Sequence, residues 1–173
     1  MNLTINFLLI TVVALIPLVL GVLWFHPTLG GRIWRSNTTT AEQPLVHSFS
    51  VLQWLTFYLL SCLIAFALLG FVNHQLSIMQ LFSTASDFGD TDSPSRAAFT
   101  QVLDLVGNRH LSFGHGAFHG FFGSIVFVVP ILAHSSMRER RGFRPVLLYW
   151  VYWASVMTLV GGILGQWGSS IGN

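Results

Sequence analysis

VLQWLTFYLLSCLIAFALLGFV, running from Val51 to Val72, decides the fold of this chain. It holds no charged side chain, and it meets the ~20 apolar residues that a helix needs to cross the hydrocarbon core of a bilayer. A surface helix of a soluble domain keeps one polar face for water; this stretch has apolar side chains on every face. Three more stretches have the same character: Leu3 to Phe25, Phe113 to His134 and Val146 to Trp167. None contains an acid, a lysine or an arginine, and histidine occurs only toward an end. Pro17 and Pro130 lie inside spans, where prolines are tolerated and mark kinks. The expectation is an all-α membrane protein: one domain over residues 1–173, with transmembrane helices at about 3–25, 51–72, 113–134 and 146–167.

Composition agrees. Hydrophobic residues make up 53% of the 173 and charged residues 8%, where soluble domains carry roughly 25% charged residues. Mean hydropathy is +0.66. All eight basic residues are arginines. They sit beside the apolar spans and do not form an aromatic-interleaved basic surface, so nucleic acid is not an expected partner. Cys62 is the single cysteine, which excludes an intrachain disulfide. Met1 to Asn6 lacks the basic start of a signal peptide, and Trp24-Phe25-His26-Pro27 is a poor cleavage site, so the first span is expected to stay in the mature protein.

The loops predict orientation. Residues 26–50 hold Arg32 and Arg35 against Glu42, and residues 135–145 hold Arg138, Arg140, Arg141 and Arg144 against Glu139. With four spans these loops share a side. The other side has both termini and the loop 73–112, with Arg96 and Arg109 against Asp87, Asp90, Asp92 and Asp104. The six-to-two arginine split predicts cytoplasmic arginine-rich loops in a plasma (inner) membrane, with both termini outside. In the long loop, Ser93-Pro94 reads as a helix cap followed by proline at the first helical position. Ala98, Phe99, Val102, Leu103 and Val106 then recur at helical spacing, predicting a short amphipathic helix on the outer membrane surface or packed over the bundle.

Phe113-Gly114-His115-Gly116-Ala117-Phe118-His119-Gly120 carries the strongest hint of chemistry. His115 and His119 are one turn apart on one helix face, a spacing at which two imidazoles can share a metal. Histidine in a span tends to face the bundle interior. His74 and His110 start from the same membrane side and are the candidate additional ligands, with Asn73, Gln75 and Gln166 as further polar groups near them. The ligand could be a metal, a haem, a quinone or a proton. The structural alternative is interhelical hydrogen bonding. His26, His47 and His134 belong to the opposite side.

Gly116, Gly120 and Ser124 form one small-residue ridge, and Gly161, Gly165 and Ser169 another; such ridges let helix backbones approach closely in lipid. The third and fourth spans are expected to pack along them, or a second copy to do so. Trp24, Trp34, Trp150, Trp153, Tyr149 and Tyr152 suit an interfacial belt. Arg138, Arg140, Arg141 and Arg144 suit contact with lipid headgroups. Asp87, Asp90 and Asp92 lack the remaining ligands of a calcium loop and read as solvated. No nucleophile with a base, carboxylate pair in a span or phosphate-cradling loop is legible, so the reading leans away from an enzyme and a membrane enzyme ranks third among the functional expectations.

Trp24-Phe25-His26-Pro27, followed by Gly31-Arg32 and Trp34, resembles the W-Y-x-P-x-x-x-G-K-x-W signature after the first span of a bacterial membrane family, domain of unknown function 1761. Tyr152-Trp153, Met157 and Gly162-Ile163-Leu164 resemble its closing helix. The His115/His119 segment and Arg138-Glu139-Arg140 are similar to its longer members. Phe25 replaces a tyrosine of the signature, His26 a small residue and Gly30 an aromatic one. The resemblance implies four spans and a bacterial inner membrane, and no particular activity. The resulting functional expectation is a non-enzymatic scaffold or accessory subunit, homo-oligomeric or within a larger membrane complex. The alternative is a binder or carrier of a small ligand, metal or proton through His115, His119, His74 and His110.

Overall fold

The computed structural model describes residues 2–26, 28, 31 and 49–172. In chain order the elements are β1 (Asn2–Ile5), α1 (Phe7–Val13), α2 (Ile16–Phe25), α3 (Val51–Val72), α4 (His74–Ser83), α5 (Pro94–Val106), α6 (Phe113–Gly123), a π turn (Ser124–Val128), α7 (Val129–Arg138), α8 (Phe143–Trp167) and β2 (Ser169–Gly172). Four continuous runs, Phe7–Phe25, Val51–Val72, Phe113–Arg138 and Phe143–Trp167, are long and apolar enough to cross a membrane. Their outward side chains remain uncovered by protein: Leu8 is 75% exposed, Leu63 65% and Ile131 65%. A soluble monomer does not expose contiguous apolar surface on this scale.

The central helix is α8. Its most apolar stretch is 44% buried inside the bundle, against 22–28% for the other three runs. Val156, Val160 and Leu164 of α8 meet Leu68, Leu69 and Val72 of α3 in the core, with Ile10 and Val13 of α1 joining them.

The first span begins later than expected. Leu3–Ile5 belongs to β1, which pairs antiparallel with β2 in the register Thr4↔Ser170. Asn6 ends the strand and starts the helix, because its side chain accepts the Leu9 N–H at 3.0 Å. Ser169 is likewise in β2 and not on the α8 ridge. The ribbon sets the two chain ends side by side at one end of the bundle, the terminal face. The third run extends to Arg138 and the fourth starts at Phe143, each reaching further toward the arginine-rich face than the expected bounds.

Two prolines shape the spans. Pro17 lacks an N–H, so the first run breaks between α1 and α2, and Leu15 N–H turns back to the Val12 carbonyl at 3.1 Å. Tyr152 Oη donates to the Pro17 carbonyl at 2.7 Å. The π turn Ser124–Val128 immediately precedes Pro130 and takes up the missing N–H there. Trp150 Nε1 donates to Ser124 Oγ at 3.2 Å. Trp150 and Tyr152, expected in the interfacial belt, therefore use their polar tips as ties between helices.

α6 and α8 meet backbone to backbone. A Cβ on Gly116 would fall 2.9 Å from the Gly165 Cα and press into the Gly161 carbonyl; one on Gly120 would press into the Met157 carbonyl. At the arginine-rich face Glu139 pairs with Arg141 at 2.7 Å, and both are exposed. Over the terminal face, α5 turns Phe99 and Leu103, 1% and 0% exposed, inward. Phe82 and Phe88 rings pack on Phe99 at 5.8 and 5.3 Å, so protein covers this apolar face. Ser95 hydrogen bonds, from its side chain first and then its backbone, hold the Asp87 carboxyl below its ordinary value at the start of α5. Pro27, Gly30, Arg32, Trp34, Arg35, Glu42 and His47 lie outside the described residues.

Candidate metal centre

Asn73 makes the corner from which the site is built. It closes α3 and caps α4, accepting the Leu76 N–H at 3.4 Å, and its Nδ2 donates to Ser169 Oγ. Fully buried, it fixes His74, the first residue of α4, relative to the terminal ribbon. On the other side Ser112 caps α6 by accepting the His115 N–H at 3.4 Å. With the glycine face of α6 committed to α8, the neighbouring face carries His115 and His119 toward the α3–α4 corner. There the Phe71 ring of α3 stands edge-on to His119 at 5.8 Å.

Three imidazoles converge at this place. Ring centroids are 5.1 Å apart for His74–His115, 5.2 Å for His74–His119 and 4.4 Å for His115–His119, with planes inclined at 73°, 83° and 68°. One ring nitrogen from each can be chosen so that all lie within 4.8 Å of one another. His74 Nε2 and His115 Nε2 are 3.1 Å apart. A tetrahedral ion with ~2.0–2.1 Å bonds to nitrogen places its donors ~3.3 Å apart. The same contact also serves as an N–H···N hydrogen bond when one ring is the donor tautomer. All three histidines are half-buried. Among the described residues this is the one group of three or more histidine, cysteine or acidic side chains so arranged.

His110 stands apart from the other three. It is exposed, with its ring 4.7 Å from His115 at only 33° and 5.5 Å from His74 at 83°. It is outside the group that closes to within 4.8 Å. The turn carrying it is held by Gln75, whose Nε2 donates to the Gly107 carbonyl at 3.0 Å. Gly107 has φ +54°, a conformation that suits glycine and lets the chain leave α5 sharply. Gln75 is fully buried and its Oε1 accepts no hydrogen bond. Gln166 is exposed and lies with Thr4, Ser169 and Ser170 beside the ribbon.

Neutral imidazole suits zinc, copper, iron and nickel, whereas hard cations such as calcium and magnesium want oxygen. No carboxylate or thiol joins the three rings. A haem gripped between two of these histidines would have to slide between rings already in van der Waals contact, so the arrangement fits a bare ion.

The fold and this site define a multi-pass membrane protein of four helices with a histidine-lined centre at the face that holds both termini. The chain belongs to the family described as Protein of unknown function (DUF1761), whose model matches residues 8–165. That match takes in the four helices and the three converging histidines. No curated protein and no solved structure matches the chain.

Proposed function

We propose that the protein is a membrane-embedded metal binder, in which His74, His115 and His119 hold one borderline transition-metal ion such as Zn²⁺. The observation that carries this is three ligand nitrogens from two separate elements lying within 4.8 Å of one another. The expectation of a scaffold or accessory subunit yields to this reading. Converging ligand atoms are a specific feature, whereas exposed apolar helix faces are what any bilayer covers.

In the membrane, the arginine-rich face lies toward the cytoplasm of a bacterial cell and the metal centre opens outside, with α4 and α5 over it. The six-to-two arginine split supports this orientation. Arg138, Arg140 and Arg144 then meet anionic headgroups on the inner leaflet. The test is elemental analysis of full-length protein purified in mild detergent without a polyhistidine tag or chelator. The expected result is stoichiometric metal in the wild type and its loss in His115→Ala and His119→Ala. Wild-type protein that binds neither native metal nor added zinc, copper or cobalt would overturn the proposal.

A further inference from the structure

We infer that the fourth coordination position of this centre is open to solvent and takes a small exogenous monoanion: hydroxide derived from water, or another small anion in its place. This rests on the metal reading above and adds to it what the bound ion binds in turn.

Geometry excludes the nearest protein candidate for that position. An imidazole ligates through a lone pair lying in the plane of its ring. His74, His115 and His119 meet edge to face, at 68–83°, an arrangement in which in-plane nitrogens can point to one centre. His110 is inclined 33° to His115 at 4.7 Å and 83° to His74 at 5.5 Å, and it brings no ring nitrogen within 4.8 Å of all three ligand nitrogens. Among the described residues no fourth histidine, cysteine or acid joins the group, and His110 itself is exposed. Sites with three histidines and one open vertex are those in which zinc keeps an exchangeable water or substrate.

Charge selects the occupant. Three neutral imidazoles bring no negative charge to a divalent ion, and no carboxylate stands in the group. Arg109, next to His110, adds a positive charge in sequence. An uncompensated double charge at a half-buried site is costly. A small anion on the ion lowers that charge, and a bound divalent metal turns water into hydroxide near neutral pH. The Phe71 ring of α3 stands edge-on to His119 at 5.8 Å on the bundle side, while His110 is exposed, so the anion enters on the side of His110.

The experiment uses full-length protein in detergent, loaded with Co²⁺ as a spectroscopic stand-in for zinc, and titrated with azide. The expected result is a saturable, one-to-one change in the visible cobalt bands. His110→Ala is expected to take up cobalt with affinity within about tenfold of wild type, the lower edge of an outer-shell effect, and to keep the azide response. Cobalt bands indifferent to azide in the wild type but responsive in His110→Ala would put His110 in the fourth position and overturn the inference while leaving the metal centre standing. Bands indifferent in both proteins would overturn it too. A wild type that takes up no cobalt removes the metal reading itself, and this inference with it.

Discussion

Adding one methyl group at Gly116 tests the packing that sets the histidine face. A Cβ there would lie 2.9 Å from both the Gly165 Cα and the Gly161 carbonyl carbon. Non-bonded carbons settle at ~3.5–4.0 Å, so the shortfall is roughly 0.6–1.1 Å. The obstructing atoms are backbone, and no rotamer change can remove them, so α6 and α8 must separate. Overpacking of this kind costs about 1–3 kcal/mol, partly offset by the ~1 kcal/mol preference of a helix for alanine over glycine. Gly70 supplies the control: it lies within α3, and a Cβ there meets nothing within 4 Å. Comparing Gly116→Ala with Gly70→Ala cancels the propensity contribution and leaves the overpacking, about 2 kcal/mol at its centre. For a chain of this size 1 kcal/mol shifts melting by about 2–4 °C, so Gly116→Ala should melt roughly 4–8 °C below Gly70→Ala. Melts followed by tryptophan fluorescence in one detergent at one scan rate measure the difference. Equal melting of the two variants would refute the backbone-contact argument. Leu164→Ala is no neutral reference here, because Leu164 is 0% exposed in the core.

Two further outcomes are expected. Tyr152→Phe should destabilise the fold by about 0.5–1.5 kcal/mol, the net worth of the hydrogen bond it gives to the Pro17 carbonyl, an oxygen that keeps its place in the α2 helix ladder; an unchanged melt would mean that Tyr152 does not tie α2 to α8. In a Cys62→Ser background, Ser86→Cys should react with an impermeant thiol reagent from outside intact cells and Gly142→Cys should not, and the reverse pattern would invert the proposed orientation. Gly142 serves better than Ser136, whose hydroxyl is bonded to the Arg141 and Gly142 carbonyls.

Hydrophobic length makes the spans readable, because a bilayer imposes a single simple requirement on each of them. The misses fall where the chain leaves that constraint. Leu3–Ile5 is as apolar as the helix after it, and only pairing with residues 169–172, at the far end of the chain, makes it a strand. Asn6 was the available local signal, as a helix cap three residues before Leu9. Pro130 announces an irregularity, but whether the helix kinks or widens into a π turn depends on the packing of Ser124 beneath Trp150. Trp150 and Tyr152 read as interfacial by residue type, since sequence cannot show that a partner for each polar tip lies inside the bundle. At the site, i, i+4 spacing brings His115 and His119 together whatever the rest of the chain does. The addition of His74, and the approach of His110 to His115, depend on the Asn73 corner and the Gln75–Gly107 bond, which are tertiary.

Both halves of the histidine centre are referenced to the same helix, and that argues for a site formed before any ion arrives. His115 and His119 ride on α6, whose glycines sit directly on the backbone of α8. His74 is set by Asn73, which is bonded to Ser169 in the strand that directly follows α8. Asn6 N–H, in turn, bonds to the Gly168 carbonyl at 2.9 Å, so the first span is fixed to the same end of α8. Displacing α8 would move both halves together, whereas separating His74 from His115 requires breaking a buried side-chain bond or prising apart two helix backbones. An ion-binding site assembled on packed helices keeps its donors close without the ion and so spends little binding energy on ordering them. The α8 glycines thus help set the spacing of the three histidines without touching them. Gly116→Ala should weaken metal uptake as well as stability, while Gly70→Ala, which moves neither half, should leave uptake unchanged.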